Sequence, residues 1–329
     1  SYRASSGFHL NLFLPVDYLL LDRKDEVRQV KQNGGHLLFS PYLWFQYPFS
    51  ARLKVYSKIS FSNNIGTVNE DYRGYILNTY RSMNRSDGLL SKNSRTSANL
   101  DFEYRNPFTT LFTSLHLFYD NIWRNMLYDT EYNGILSSSV GILHPHTSHQ
   151  YGIGYSIGKS IDAIKSEVRI NANYDQNRSL TLHQGVISEY SSGNYSFSPR
   201  ITTDIDQFVN IRYGASFQHN RTMIRDNEMA VNYFTQDISM AFIPYKKLTF
   251  IVSFNHYFND MIESSARSSW FGNVGARYKM KDVDLMLDWT NIFNTRRFVT
   301  YSYRDISSYY SEYELRPAEV LLRIRFKIL

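Results

Sequence analysis

Three histidines fall within the six residues from His144 to His149, in the order His-Pro-His-Thr-Ser-His. Imidazoles this close together could bind Zn²⁺ or Cu²⁺. No carboxylate lies nearby in the sequence, and Pro145 limits the geometry that the rings can share. The segment is therefore better interpreted as a solvated loop, and we predict neither a metal site nor a cofactor.

Two pairs of titratable residues lie four positions apart on predicted strands, Asp284 with Asp288 and His116 with Asp120. Each pair shares one face of its strand, but its members are about 13 Å apart along the strand, too far for direct proton transfer. The chain has no phosphate-binding loop. It also has no cysteine, which excludes thiol catalysis and disulfides. We expect no catalytic residues and no enzyme activity.

Tyrosines are concentrated in a polar stretch near the C-terminus. Exposed tyrosine can stack on a sugar ring or contact a peptide, because its ring offers apolar area and its hydroxyl a polar tip. The same residues could instead form a girdle at a membrane interface or pack between loops, and both interpretations stay open. The candidate ligand- or partner-binding residues are Tyr301, Tyr303, Tyr309 and Tyr310.

Long amphipathic strands are the elements that would position these side chains. Near the end of the chain, Val320, Leu322 and Ile324 alternate with Arg323 and Arg325. Side chains alternate between the two faces of a strand, so this segment has one apolar and one cationic face. About fourteen segments show the pattern, and most are about ten residues or longer, whereas a globular strand has about five or six. The clearest others are 50–61, 163–174, 206–219 and 247–258.

The connections between the predicted strands alternate in length. Short turn-like links alternate with longer links rich in polar residues and tyrosine, a parity typical of outer-membrane barrels with short periplasmic turns and long extracellular loops. We therefore predict an all-β fold, an antiparallel transmembrane outer-membrane β-barrel, in preference to a soluble all-β domain. The predicted long loops are 18–35, 63–91, 125–148, 177–191, 220–229, 259–265 and 293–317.

The composition agrees with strands that have one face in lipid and one in water. The 329 residues are 43% hydrophobic and 16% aromatic, with 27 tyrosines. No apolar run is long enough for a transmembrane helix, for which about 18 residues are needed. The net charge of +6 is spread along the strands, without a basic run or a recognition motif, so nucleic acid is not an expected partner.

Charged residues on the polar faces of the strands would line the barrel lumen. Turning such an Arg or Lys outward would cost roughly 2–4 kcal/mol near the bilayer midplane. These residues could tune a channel or hold a plug, or they could simply form a solvated wall of paired charges. The predicted lumen-lining residues are Arg52, Lys54, Lys165, Glu167, Arg169, Arg212, Arg323 and Arg325.

The last segment, 283–329, resembles the C-terminal end of TonB-dependent outer-membrane receptors of Bacteroidota, including the starch-utilisation type. The similarity lies in Asn291-Ile292-Phe293-Asn294, in the Leu315-Arg316-Pro317 turn and in the closing amphipathic strand. The family usually closes on an aromatic residue, and this chain closes on Leu329. The resemblance implies a 22-stranded barrel filled by an N-terminal plug, in the outer membrane of a Gram-negative bacterium. It also implies energy from periplasmic TonB, a surface lipoprotein partner and contact with outer-membrane lipid or lipopolysaccharide.

No plug domain or TonB-box-like segment is apparent, so we expect residues 1–329 to be the C-terminal barrel portion of a longer receptor. Such a receptor would import a glycan, a peptide or a chelate. Two alternatives stay open. The chain could be a structural barrel that scaffolds a larger complex, or a complete passive channel of about fourteen strands.

Overall fold

A computed structural model describes residues 1–26, 30–66, 70, 72, 74–86, 88–304 and 307–326. Within these residues, no helix is long and apolar enough to cross a membrane. A 3-10 turn, Asp162–Ile164, lies between β11 and β12. The strands are β1 (Tyr2–Arg3), β2 (His9–Phe13), β3 (Val16–Asp25), β4 (Val30–Phe39), β5 (Tyr42–Pro48), β6 (Leu53–Ile65), β7 (Ile76–Thr79), β8 (Ser82–Arg85), β9 (Lys92–Asn106), β10 (Leu111–Asn133), β11 (Leu136–Ile161), β12 (Ser166–His183), β13 (Val186–Ile205), β14 (Val209–Ile224), β15 (Asn227–Tyr245), β16 (Leu248–Asn259), β17 (Ser268–Lys279), β18 (Val283–Thr290), β19 (Arg297–Arg304), β20 (Ser307–Glu314) and β21 (Glu319–Phe326).

One sheet of seventeen strands dominates the molecule. Its main meander runs β2, β5, β6, β9, then β10 to β18 in order, and finally β21, with each strand antiparallel to the next. The short strand β1 pairs with β2, and the β7–β8 hairpin joins through β8, parallel to β11. The hairpins β3–β4 and β19–β20 form separate two-stranded sheets.

The prediction of an all-β antiparallel fold is confirmed. Among the described residues, no pairing joins β21 to β1 or β2. Two numbers stay predictions. They are the count of about fourteen strands, and the 22-stranded barrel of the family that the sequence resembles. The assignment of residues 1–329 to a single barrel portion also stays a prediction.

Two chemically different faces run the width of the sheet. Across β9 to β12, Asp101, His116, Gly154 and Asn173 lie opposite one another in turn on one face. The next row, on the other face, is Leu100, Leu117, Ile153 and Tyr174. Directly opposite residues share a face, so charged and apolar side chains remain separate from strand to strand. We call these surfaces the polar face and the apolar face.

The apolar face is exposed along the whole meander. Val320 and Leu322 at one edge are 62% and 64% exposed, and large apolar side chains in the centre are also exposed. A continuous apolar surface of this kind marks contact with a partner or a membrane in natural proteins. The other exposed members include Ile59, Ile153, Phe197, Phe217, Ile238, Phe250, Trp270 and Leu287.

The two ends of the strands differ in their connections. At the short-turn end, β9–β10, β11–β12, β13–β14, β15–β16 and β17–β18 are joined by short turns, near the predicted positions. At the long-hairpin end, the predictions of loops at 125–148, 177–191 and 220–229 are wrong, because β10–β11, β12–β13 and β14–β15 continue through them as strands. Gly134 and Gly185 close two of these hairpins at positive φ, which glycine adopts without strain.

Two other predicted loops contain hairpins of their own. The segment 18–35 falls in β3–β4, and 293–317 contains β19–β20. The predicted loop 63–91 contains β7 and β8 and lies partly outside the described residues. Lys327, predicted on the cationic face of the last strand, and the closing Leu329 also lie outside them.

Candidate functional site

The predicted lumen-lining residues on strands fall on the polar face. Lys54 lies opposite Glu103, and Arg212 lies opposite Ser239. Arg323 and Arg325 lie opposite Met286 and Asp284. The other strand members, Glu167 and Arg169, face Thr202 and Arg200.

Arg52 and Lys165 were predicted on strands, and this is wrong, because both lie in short turns just before β6 and β12. Lys165 has a φ of 47°, a left-handed conformation that ends the 3-10 turn and cannot continue a strand. Its ammonium group contacts the carboxylate of Asp206 in the neighbouring turn. The guanidinium carbon of Arg52 lies 5.8 Å from the centre of the Phe108 ring, within cation–π range.

A charged groove of about 540 Å³ lies on the polar face near the short-turn end, between β9 and β12. Glu103, Arg105, Glu167 and Arg169 line it. Arg105 Nε is 2.7 Å from a Glu103 carboxylate oxygen, and Arg169 Nη2 is 2.9 Å from Glu167. Each of these two arginines is thus paired with a glutamate two residues away on its own strand, while Lys159 lines the same groove without an ion pair in the described part of the chain.

Aspartates of β18 pair with the cations of the neighbouring strands. Arg277 donates to Asp284 at 2.7 Å, and Arg323 Nε donates to Asp288 at 3.1 Å. The two carboxylates that share this face of β18 are therefore engaged by different arginines. On this face of β21, Arg323 therefore has its anion across the sheet.

His116 and Asp120 each pair across to β9 and not with one another. The His116 imidazole is 2.6 Å from Asp101, and Asp120 accepts hydrogen bonds from Arg95 at 2.6 and 2.9 Å. Ser97 also donates to Asp120, whose residue is only 6% exposed. These cross-strand partners depend on the register between β9 and β10, which alternation within one strand does not specify.

The histidine-rich segment was predicted to be a loop. This is wrong, because the segment is part of β11. The register with β10 shifts within this segment, between the pair Arg124–His146 and the pair Met126–Leu143. His146 is buried, with Nδ1 3.0 Å from the carbonyl oxygen of His144. In the described part of the chain, no group of three or more potential ligands could hold a metal ion.

The β19–β20 hairpin, residues 297–314, folds back across the polar face of β15 to β17. The carbonyl of Tyr301 accepts hydrogen bonds from Asn259 Nδ2 at 2.6 Å and from the Tyr233 hydroxyl at 3.4 Å. The ring of Phe298 packs edge-on against Tyr257 and Phe271, with centroids 5.4 and 5.5 Å apart. The four residues beneath the hairpin all belong to the polar face.

The candidate tyrosines are distributed over this docked hairpin. Tyr301 lies opposite Tyr310, and Tyr309 lies opposite Ser302. Tyr309 and Tyr310 are 59% and 55% exposed, whereas Tyr301 is half-buried. The side chain of Tyr303 lies outside the described residues.

An ion pair and a tyrosine hydroxyl join the two strands of the hairpin. Arg297 donates to Glu312 at 3.0 Å, and the Tyr310 hydroxyl donates to the same carboxylate at 2.8 Å. These hydrogen bonds, first that from Arg297, hold the pKa of Glu312 below its usual range. The pKa of Arg297 is raised in turn, so the pair is ionised at neutral pH.

The docking residues Tyr233, Tyr257, Asn259 and Phe298 were not among the predicted site residues. The alternation places Tyr257 and Asn259 on the polar face of β16, but nothing local in the sequence indicates that a hairpin 40 residues later covers them. An aromatic residue on an otherwise polar strand face was the one available signal.

The fold of the sheet is similar to that of TonB-dependent outer-membrane receptors. One is a variant of the ferric enterobactin receptor PfeA from Pseudomonas aeruginosa, with a TM-score of 0.53 and 9% identity, covering 94% of this chain and 49% of that chain. Another is the siderophore receptor PirA from Acinetobacter baumannii, with a TM-score of 0.50 and 8% identity, covering 91% and 44%. The chain spans about half the length of these receptors. No family model and no curated protein matches the sequence.

Proposed function

We propose that residues 1–329 form the C-terminal barrel portion of a TonB-dependent receptor that imports a ligand across the outer membrane of a Gram-negative bacterium. The protein would transport and not catalyse. The ligand would be a glycan, a peptide or a chelate, and the sequence resemblance favours the starch-utilisation type of Bacteroidota.

The observation that carries this proposal is the separation of the two faces. An apolar surface that stays exposed from β2 to β21 needs an apolar solvent, because water would make its exposure unfavourable. In a barrel, the opposite face then lines a polar lumen. The fold similarity to outer-membrane receptors supports the same interpretation.

The charged polar face would form the lumen wall. Arg52, Lys54, Lys165, Glu167, Arg169, Arg212, Arg323 and Arg325 would contact a plug that another part of the receptor supplies, and the moving ligand. Four of these charges already have an oppositely charged partner, namely Lys165, Glu167, Arg169 and Arg323, and we expect these to hold the wall together more than to bind ligand tightly.

The docked hairpin would carry ligand contacts. Tyr309 and Tyr310 project from it while its core is fixed to β15–β17 through Tyr301 and Phe298. Tyr301 would extend the aromatic surface beside Tyr310, Tyr309 would present its ring on the other face of the hairpin, and Tyr303 would add a further contact. Rigid, exposed tyrosines suit sugars and peptides, because little side-chain entropy is lost on binding.

The proposed partners follow from the same function. They are the plug-bearing remainder of the receptor, periplasmic TonB as the source of energy, a surface lipoprotein, and the lipid and lipopolysaccharide around the barrel. Nucleic acid is not proposed as a partner.

The test is isolation of the full-length native protein from outer membranes. We expect it to be extracted only by detergent, to show heat-modifiable gel mobility, and to support TonB-dependent uptake of a ligand by cells. Extraction without detergent would overturn the membrane assignment.

The two alternatives give different results in the same experiment. A passive channel would conduct in lipid bilayers and support uptake without TonB, and β21 would pair with β1 or β2. A scaffolding barrel would be heat-modifiable and co-purify with other outer-membrane proteins, but it would neither conduct nor support uptake.

A further inference from the structure

We propose that an arginine-lined groove on the outward-facing side of β11 to β14 binds the phosphate groups of an outer-leaflet glycolipid. This inference rests on the proposed function, because it needs the apolar face to lie in a membrane with the long-hairpin end outside. It concerns a different surface from the lumen and the tyrosine hairpin.

The groove has a volume of about 560 Å³. The groove lies on the apolar side of the sheet. Arg178 is paired with Ser191, and Gly193 is paired with Arg221. Along their strands these residues alternate with the residues of the polar face. The cationic residues that line the groove are Arg178, Arg221 and Arg225, with His149 beside them. Glu189 is the one carboxylate that lines it.

The position of the groove along the strands matches the headgroup level of a bilayer. On β13, the apolar-side residues from Tyr195 toward the short-turn end are Phe197, Pro199 and Ile201. Toward the long-hairpin end they are Gly193 and then residues of the groove. Tyrosine marks the membrane–water interface in barrels, so the groove begins where the apolar band ends.

An aromatic row borders the groove on the membrane side. The rings of Tyr174 and Tyr195 contact each other at a tilt, with centroids 4.5 Å apart, and the His219 ring lies 5.9 Å from that of Tyr195. The Tyr119 hydroxyl is 3.0 Å from Nδ1 of His149, which joins the row to the groove lining. A lipid whose acyl chains lie against Phe197 would bring its headgroup to this row.

The charge of the groove suits phosphate. Arg221 is paired with Glu228 at 2.7 Å, whereas Arg178 and Arg225 make no ion pair within the described residues. Two arginines without an ion-pair partner that line one groove are complementary to a phosphorylated headgroup. The planar guanidinium binds phosphate oxygens through two parallel hydrogen bonds.

The floor of the groove is built from small and tethered residues. Gln176 donates to Ser191 Oγ at 2.7 Å and accepts from the Tyr174 hydroxyl at 3.1 Å. A Cβ at Gly193 would lie 2.9 Å from Oε1 of Gln176, so glycine leaves this space open. The floor therefore offers fixed polar groups between the arginines.

The test compares the full-length protein with the double variant Arg178→Gln/Arg225→Gln. The control variant Arg200→Gln/Lys247→Gln loses the same charge at the short-turn end. Detergent-purified proteins are titrated with purified lipopolysaccharide, with the same material after enzymatic dephosphorylation, and with inorganic phosphate. Bound lipid is counted by native mass spectrometry, and heat-modifiable gel mobility reports folding.

We expect the groove variant to bind phosphorylated lipopolysaccharide about 25-fold more weakly than the wild type, at about five-fold per arginine near a membrane surface. The control variant should bind phosphorylated lipopolysaccharide like the wild type. Removing the phosphates from the lipid should weaken its binding to the wild type to the level of the groove variant. Equal loss in both variants, no loss in the groove variant, or full displacement by inorganic phosphate would each overturn the inference. If the groove variant binds the lipid as the wild type does, and uptake and heat-modifiability persist, the glycolipid site is refuted but the proposed transport function is not. A wild-type protein that needs no detergent would remove the proposed function itself.

Discussion

Two regions of the polar face satisfy their polar groups in different ways. Between β9 and β12 the face pairs its own side chains within the sheet, across strands in Arg95 with Asp120 and His116 with Asp101, and along one strand in Glu167 with Arg169. Between β15 and β17 the same face is covered by the β19–β20 hairpin, through Asn259, Tyr233 and a cluster of rings. The first region holds itself together within the sheet, whereas the second depends on a segment that must dock.

The two regions should therefore respond differently to substitution. Loss of an ion pair in the first should lower the stability of the whole sheet. Loss of a docking contact in the second should release the hairpin and leave the sheet intact.

Asp120→Ala should lower the free energy of unfolding by about 2–3 kcal/mol, because the hydrogen bonds to Arg95 and Ser97 are lost at a buried position. The measurement is urea unfolding in detergent or lipid, followed by gel mobility. Asp204→Ala, at an exposed carboxylate, is the control and should change stability little. An equal effect of both substitutions would contradict the special role of the Asp120 pair.

Phe298→Ala should weaken hairpin docking by about 2 kcal/mol, because a half-buried ring is removed from Tyr257 and Phe271. Hydrogen exchange of residues 297–314 should rise while exchange of β15–β17 stays slow. Phe217→Ala, which removes a ring from the apolar face, should leave hairpin exchange unchanged. If the whole sheet unfolds with the hairpin, the two regions are not independent.

Asn259→Ala should weaken docking by about 1 kcal/mol, since one hydrogen bond to the carbonyl of Tyr301 disappears. Limited proteolysis within 297–314 is the readout, with Asn255→Ala on the same strand face as the matched control. Cleavage at the same rate in both variants would mean that this hydrogen bond does not hold the hairpin.

The pH dependence of the hairpin should be small and confined to acid. The pKa of Glu312 is lowered in the folded state, so its pair with Arg297 contributes fully above the unfolded value of 4.5. That contribution is lost as the pH falls through the lower folded pKa. Protection factors of β20 should be flat from pH 5 to 8 and decline below about pH 4, and Glu312→Gln should abolish this decline. A decline already present near pH 6 would assign the effect to another group.

The sequence predicted which face each strand residue occupies but not which residues meet. Alternation placed Lys54, Glu167, Arg169, Arg212 and Arg323 on the polar face, because the period of a strand is local. Their partners depend on inter-strand register, which the whole sheet determines.

The errors have physical causes that lie beyond local pattern. The segment 125–148 was predicted as a loop because the adjoining ends of β10 and β11 lack the alternation of apolar and polar residues that marks the other strands. Lys165 adopts a left-handed conformation that its residue type does not reveal. Docking of the tyrosine-rich hairpin was missed because it pairs positions 42 residues apart, Asn259 and Tyr301.

The long hairpins also determine how much disorder is lost when something binds. β10 has 23 residues and β11 has 26, so at about 3.4 Å per residue both are far longer than the apolar band of about 25 Å that is typical of outer-membrane barrels. The part beyond the band is hydrogen-bonded strand, already ordered before any encounter. A molecule that arrives at this end meets a preformed wall, and the conformational entropy that flexible loops would lose on binding has been lost during folding.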